Sequence, residues 1–215
     1  MELGADEAGK GPVLGPMVAA AVRAPSAALP DGLDDSKRLS PAKRESLAAR
    51  LCEDSAVTVG VAVVAPARID DPETDMNGLT VAAQAEALAA VAENGDVAVV
   101  DAGDVDEARF GRRVRAAVEA GGRKIDVRSE HRADESHPVV SAASVVAKVE
   151  RDARVEAIAE SYGDVGSGYP SDPTTRTFLR EYVREHGTLP DCARSSWQTC
   201  ADVLAAAEQS ALSEF

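Results

Sequence analysis

The sequence predicts an α/β fold: a sheet layered by helices that ends in a helical subdomain. Three observations predict it. β-rich apolar runs come early, at 13–24 and 56–66. From residue 95 onward, short apolar strands alternate with helical patterns. After residue 139 every patterned segment is helical.

The elements follow in order. MELGA at the start reads as a first strand, with Asp6 and Glu7 just after it. Residues 13–24 (VLGPMVAAAVRA) form a second apolar run, rich in Val. SPAKRESLAARLCED begins a helix with Ser40 as N-cap and Pro41 in its first turn. Residues 56–66 (AVTVGVAVVAP) give a strand and 77–94 a helix. GDVAVVDAGD (95–104) is a short buried strand ending on an acid, and 105–121 is the next helix. KIDVRSE (124–130) alternates as a strand should. Helices are expected at 139–163, 172–187 and 195–209. There is no internal repeat and no long linker.

Composition bounds the function. A chain of 215 residues with 45% apolar content makes one domain with an appended subdomain. No apolar run is long enough to span a bilayer. The N-terminus runs straight into acids, so no signal peptide is expected. Cys52, Cys192 and Cys200 are odd in number and lack zinc spacing, so they are expected to be reduced thiols in a cytoplasmic protein. The formal charge is −14, and only five of the 23 basic residues are lysines: Lys10, Lys37, Lys43, Lys124 and Lys148. Such an acidic, Ala-rich, Lys-poor chain suggests a salt-adapted host. It argues against gripping nucleic acid by bulk charge.

GADEAGKG, from Gly4 to Gly11, almost spells a phosphate-binding loop. Its parts exclude that reading. Gly11 stands where a Mg²⁺-binding hydroxyl belongs, and Asp6 and Glu7 would repel phosphates. Pro12, Gly15 and Pro16 also forbid the helix such a loop opens. Carboxylates beside glycines suit a divalent metal instead.

Further acids stand at similar places. Asp101 ends the apolar run VAVV, and the carboxyl ends of strands are where ligands collect in α/β sheets. Asp134, in HRADESHPVVSAAS, comes just before the longest helix. Taken alone, each reads equally as a cap or a solvated charge. Together, four converging carboxylates are tolerable only if cations neutralise them. Two Mg²⁺ or Mn²⁺ ions about 4 Å apart would fit, which is apparatus for phosphodiester hydrolysis.

The segments DEAGKGPVLGPMVAAAV, DDSKRLSPAKRE, VVDAGD, HRADESHPVVSAASVVAKVERD, GSGYPSDP and RSSWQT occur in this order from Asp6 to Thr199. Over nearly the whole chain they resemble the motifs of ribonuclease HII in its archaeal form. The resemblance implies the ribonuclease H fold: a mixed five-stranded sheet flanked by helices, followed by a C-terminal helical subdomain. The expected boundaries are 1–165 for the catalytic domain, 166–208 for the subdomain and 209–215 for a tail. It implies cleavage of RNA in RNA–DNA hybrids, and at ribonucleotides embedded in duplex DNA, with a divalent metal and a 5′-phosphate product. Asp6, Glu7, Asp101 and Asp134 fall on the family's catalytic, metal-holding carboxylates. Gly9, Lys10 and Gly11 fall on its glycine-arginine-glycine motif, whose main chain contacts the 2′-OH region; Lys10 in place of Arg is a departure. Tyr169 falls on the tyrosine that stacks on the junction deoxyribose. Lys37, Arg132, Ser141 and Ser144 are expected to contact backbone phosphates.

Among other residues, Trp197 is expected in the subdomain core. His131, His137 and His186 lack zinc spacing, and His131 is expected at the rim of the site. The chain ends with Gln209, Leu212 and Phe215 in a Q-x-x-L-x-x-F pattern that resembles a sliding-clamp binding motif and reads equally as a frayed helix end. A monomer is expected. The sister ribonuclease HIII carries an extra N-terminal domain, which is not expected in a chain starting at the first catalytic strand. A catalytically divergent nuclease, or a nucleic-acid-binding module of the same fold, is the alternative; a module would be expected to have lost at least one acid.

Overall fold

The computed structural model describes residues 1–33 and 39–213, except for the side chains of 210–213. Five strands form one sheet: β1 (Glu2–Ala8), β2 (Met17–Ala24), β3 (Thr58–Val64), β4 (Val97–Asp101) and β5 (Asp126–Glu130). The spatial order is β3-β2-β1-β4-β5. β1 lies at the centre, antiparallel to β2 and parallel to β4, which is itself parallel to β5. This is the mixed five-stranded sheet flanked by helices that the family resemblance implies. The helices are α1 (Pro41–Glu53), α2 (Pro66–Ile69), α3 (Met76–Val91), α4 (Glu107–Ala120), α5 (Ala133–Ser136), α6 (Pro138–Tyr162), α7 (Pro173–His186) and α8 (Gln198–Ser213).

Local chemistry explains the ends. Ser40 caps α1 by accepting from Lys43 N, Asp106 caps α4 through Arg109 N, and Asp172 caps α7 through Thr174 N. Gly187 ends α7 in the left-handed conformation, φ 71°. Two boundaries differ from expectation. β1 runs on through Asp6, Glu7 and Ala8, because β2 pairs with it to the end, Ala8 opposite Val18. The apolar run 13–24 becomes a strand only from Met17, since Pro12, Gly15 and Pro16 break extended pairing before it.

The chain divides into two compact units. The first comprises Met1–Ala8, Val18–Val63 and Met76–Arg151, and the second Gly9–Met17, Val64–Asp75 and the chain from Asp152 onward. In the first unit, Ala, Val and Leu fill the space between sheet and helices, among them Ala20, Val22, Leu47, Leu51, Val140 and Ala143. Small side chains let backbones approach. At Gly4 a Cβ would lie 2.9 Å from Val139 Cγ1 and from Val140 N, so α6 sits directly on β1. The second unit buries Val13, Leu14, Leu179, Val183, Cys192 and Cys200. Around Phe178, the rings of Tyr162 and Tyr182 lie 6.0 and 5.9 Å from its centroid. Trp197 is half-buried against this core. Burial pushes the thiols of Cys192 and Cys200 up to about 11, and all three cysteines are free. Among the described residues, no helix is long and apolar enough to cross a membrane.

Candidate active site

Strand geometry distributes the acids. Successive side chains on a strand point to opposite faces. Gly4 and Asp6 therefore share one face of β1, the face that carries α6. Glu7 takes the other face and meets α3. The parallel register sets Ala5 beside Val100, and the next residue on each strand is an acid, Asp6 on β1 and Asp101 on β4.

Asp6, Glu7 and Asp101 are each held from behind. Asp6 is 6% exposed. Its Oδ1 accepts from Glu7 N at 2.7 Å, and its carboxyl is hydrogen-bonded to the Ser144 hydroxyl of α6. Lys148, one turn further along α6, donates its Nζ to Ser144 Oγ at 2.6 Å. An ammonium has no lone pair, so Ser144 accepts from it and turns its own proton toward Asp6. Glu7 Oε2 accepts from Gln84 Nε2 at 2.6 Å. Asp101 Oδ1 accepts from Ala133 N at 2.7 Å. That last bond depends on Arg132, a non-glycine residue in the left-handed conformation, φ 57°. The turn at Arg132 aims the Ala133 N–H at β4 and starts α5, which carries the buried Asp134 (5% exposed). Strain of this kind collects at functional sites.

Burial, and then the charges of Glu7 and Asp101, push the Asp6 carboxyl well above the usual carboxylate range; the Ser144 and Glu7 hydrogen bonds pull it down. A hard dication would relieve that crowding, and the donors are all oxygens. Among the described residues, no three His, Cys, Asp or Glu side chains are closed around one point to hold an ion. Asp6 feels the charges of Glu7 and Asp101, and those two carboxylates already accept from Gln84 and Ala133.

The loop after β4 is braced separately. Arg109 forks onto Asp104, with Nη2 at 2.7 Å from both carboxylate oxygens. His131 Nε2 lies 2.7 Å from Asp104 O, and its Nδ1 lies 3.1 Å from Glu107 Oε1. The histidine is thus a strut between the β4 and β5 ends.

In the second unit, the glycine loop is fixed by Arg194, which is 0% exposed. Its Nε donates to Gly15 O (3.0 Å), Nη1 to Lys10 O (2.9 Å) and Nη2 to Gly9 O (2.6 Å). Gly9 has φ 83°, a conformation that only glycine adopts cheaply. With its carbonyls claimed by Arg194, the loop exposes Gly11 and half of Lys10. Tyr169 is 40% exposed, and its Cε1 would stand 3.9 Å from a Cβ at Gly11. Trp197 Nε1 donates to Gly11 O at 3.4 Å. Below it, Asp70 accepts from the backbone and hydroxyl groups of Ser195 and Ser196 at 2.6–3.0 Å.

Two expected phosphate contacts are corrected. Ser141 is fully buried and its hydroxyl donates to Leu33 O, so it serves packing. Ser144 is buried as well and orients Asp6. Arg132 keeps an exposed guanidinium, 3.9 Å from Glu135. Lys37 and Phe215 lie outside the described residues, as does the side chain of Leu212; Gln209 is exposed on α8. Sequence reasoning missed Gln84, Lys148 and Arg194. Gln84 carried a signal: it is an amide within the otherwise apolar stretch LTVAAQA. Arg194 opens the RSSWQT segment, but nothing local shows its role, because its partners lie 179 to 185 residues away.

The sequence and the fold are both shared with known proteins. The family model described as Ribonuclease HII matches residues 3–200. A ribonuclease HII of Haloarcula marismortui is 61% identical over 215 residues, covering 100% of both chains. The ribonuclease H2 of Pyrococcus horikoshii OT3 superposes with a TM-score of 0.87 at 35% identity, over 96% of this chain and 98% of that one. Ribonuclease HII of Archaeoglobus fulgidus, solved in complex with PCNA, gives 0.84 at 37% identity, over 94% and 96%.

Proposed function

Because the chain belongs to the ribonuclease HII family, whose members hydrolyse the RNA strand of RNA–DNA hybrids, we propose that Asp6, Glu7, Asp101 and Asp134 are its catalytic carboxylates and hold two divalent cations, Mn²⁺ or Mg²⁺. We extend the proposal to single ribonucleotides embedded in duplex DNA, with a 5′-phosphate as product. The observation that carries the assignment is the crowding at Asp6. Buried beside Glu7 and Asp101, its carboxyl is held well above its ordinary range, a cost that a cation bound by the same acids would remove.

Bound dications would supply an activated water and charge neutralisation at the phosphodiester. The protein's own part is to orient and to select. Ser144 and Lys148 set Asp6, and Ala133 N–H sets Asp101. Main-chain groups of Gly9, Lys10 and Gly11 test the ribose. A 2′-OH both donates and accepts, so main-chain groups can recognise it without reading a base. Tyr169 stacks on the neighbouring deoxyribose, and Arg132 meets a backbone phosphate.

The test is a duplex bearing one ribonucleotide, incubated with Mn²⁺ and with chelator. Cleavage is expected only with metal, only at the ribose, and hardly at all by Asp101→Asn. Full activity in that variant overturns the assignment. Tight binding without cleavage by the parent protein would favour the alternative, a nucleic-acid-binding module. The Archaeoglobus fulgidus complex with PCNA supports a second element of the proposal: Gln209, Leu212 and Phe215 bind a sliding clamp. Deleting 209–215 is expected to abolish clamp capture and to spare hydrolysis of short hybrids.

A further inference from the structure

Gln84 is 0% exposed on α3, a helix whose other buried residues are apolar except for Thr80. Both protons of its amide nitrogen are directed at the site. Nε2 donates to Glu7 Oε2 at 2.6 Å and to the main-chain oxygen of Asp101 at 3.0 Å. Its own oxygen, Oε1, is buried and has no hydrogen-bond partner among the described residues. Chemistry fixes this orientation of the amide. Turned over, Oε1 would face a carboxylate and a carbonyl, two acceptors with nothing to donate. A buried amide that satisfies both protons and leaves its oxygen unpaired is poorly explained by stability alone, since an apolar chain of the same length would fill the space without that cost.

We infer that Gln84 is a positioning residue for the cation site. It ties the carboxyl end of β1 to that of β4 and fixes the plane of the Glu7 carboxylate. A neutral donor is the fitting choice. A Lys or Arg here would orient Glu7 equally well but would cancel the charge a cation needs, and a Glu would add an acceptor where donors are required. Gln84 acts through Glu7 and does not touch the substrate. This inference rests on the functional reading above, in which Glu7 is a cation ligand.

The test measures Mn²⁺ binding directly, by calorimetry on the full chain, alongside cleavage. Gln84→Met keeps the length and loses the donors. Gln84→Asn keeps an amide that is one methylene too short. In both, the Mn²⁺ dissociation constant is expected to rise about 10–100-fold. KM for a short hybrid should be unchanged, and kcat should recover largely at saturating Mn²⁺. In a Glu7→Gln background, Gln84→Met is expected to change Mn²⁺ affinity no further. Unchanged affinity in either variant overturns the inference, as does an undiminished loss in the Glu7→Gln background. Melting in chelator and in Mn²⁺ separates fold from site: an equal fall of both midpoints would place Gln84 in the fold alone and also overturn it. A parent protein that binds Mn²⁺ and cleaves the hybrid, beside a Gln84→Met of unchanged affinity, sinks only Gln84's role. A parent that does neither sinks the reading beneath it.

Discussion

Asp6 shows most directly what the site costs the fold. Its carboxyl is raised by burial and by the charges of Glu7 and Asp101. An acid whose folded-state pKa lies above its unfolded value of about 3.9 favours folding when protonated and opposes it when ionised. That opposition grows as pH rises from the unfolded value toward the folded one. Asp6→Asn is therefore expected to melt higher than the parent in chelator at pH 7, to lose that advantage at pH 3, and to cleave almost nothing. Thermal melts at the two pH values with a cleavage assay check all three. Asp70 carries the opposite sign. Burial raises its carboxyl, but hydrogen bonds from Ser196 and Ser195 outweigh burial and hold it below the usual range. Its contribution is present above about pH 4 and is lost as pH falls through the lower folded value. Replacing it removes the acceptor of the exposed Ser195 and Ser196 groups, which water can in part replace, so Asp70→Ala should cost roughly 0.5–1.5 kcal/mol at pH 7. The penalty should shrink when denaturant melts are run near pH 3.

At the scale of elements, Arg194 and the glycine loop form one device. The guanidinium presents its donors as a rigid planar fork, which is why it can hold the carbonyls of Gly9, Lys10 and Gly15 together. Lysine has the charge without the fork. Arg194→Lys is expected to cost roughly 1.5–3 kcal/mol and to blur the choice of ribose over deoxyribose; a urea series and paired substrates measure the two effects. This device also marks how far the sequence could be read. Strand and helix positions were legible because periodicity and caps are local: Ser40, Asp106 and Asp172 cap where a local rule puts them. Asp101 stood out because it ends an apolar run, and Asp134 because it comes just before the longest helix. The supports were not. Gln84 reaches Glu7 across 77 positions, and Ala133 N reaches Asp101 across 32; only the folded sheet brings such pairs together. Ser141 misled for the same reason, since nothing local tells whether a serine on a helix faces solvent or Leu33.

For the whole molecule, the charge of −14 decides how nucleic acid is approached. Its field repels a polyanion at low salt, and screening over ~3 Å at 1 M removes that repulsion. Binding by counterion release would instead weaken by ~0.9 log unit per log unit of salt for each phosphate neutralised. Cleavage of a short hybrid is expected to rise with KCl to an optimum near or above molar concentration. A KCl series, with circular dichroism on the same samples, checks it; a steady fall in a folded protein would mean that phosphate contacts dominate. The 61% identity to a Haloarcula marismortui relative fits such a regime. The length of chain between the glycine loop and its clasp also has a consequence in time. The loop leaves a ribosome first, and Arg194 follows 179 positions after Gly15. At 5–20 residues per second, roughly 10–40 s separate the two. Asp6, Glu7, Asp101 and Asp134 have all emerged well before then. A nascent chain thus carries its reactive groups before it carries the part that holds the ribose-testing loop in shape, and discrimination is completed only after them.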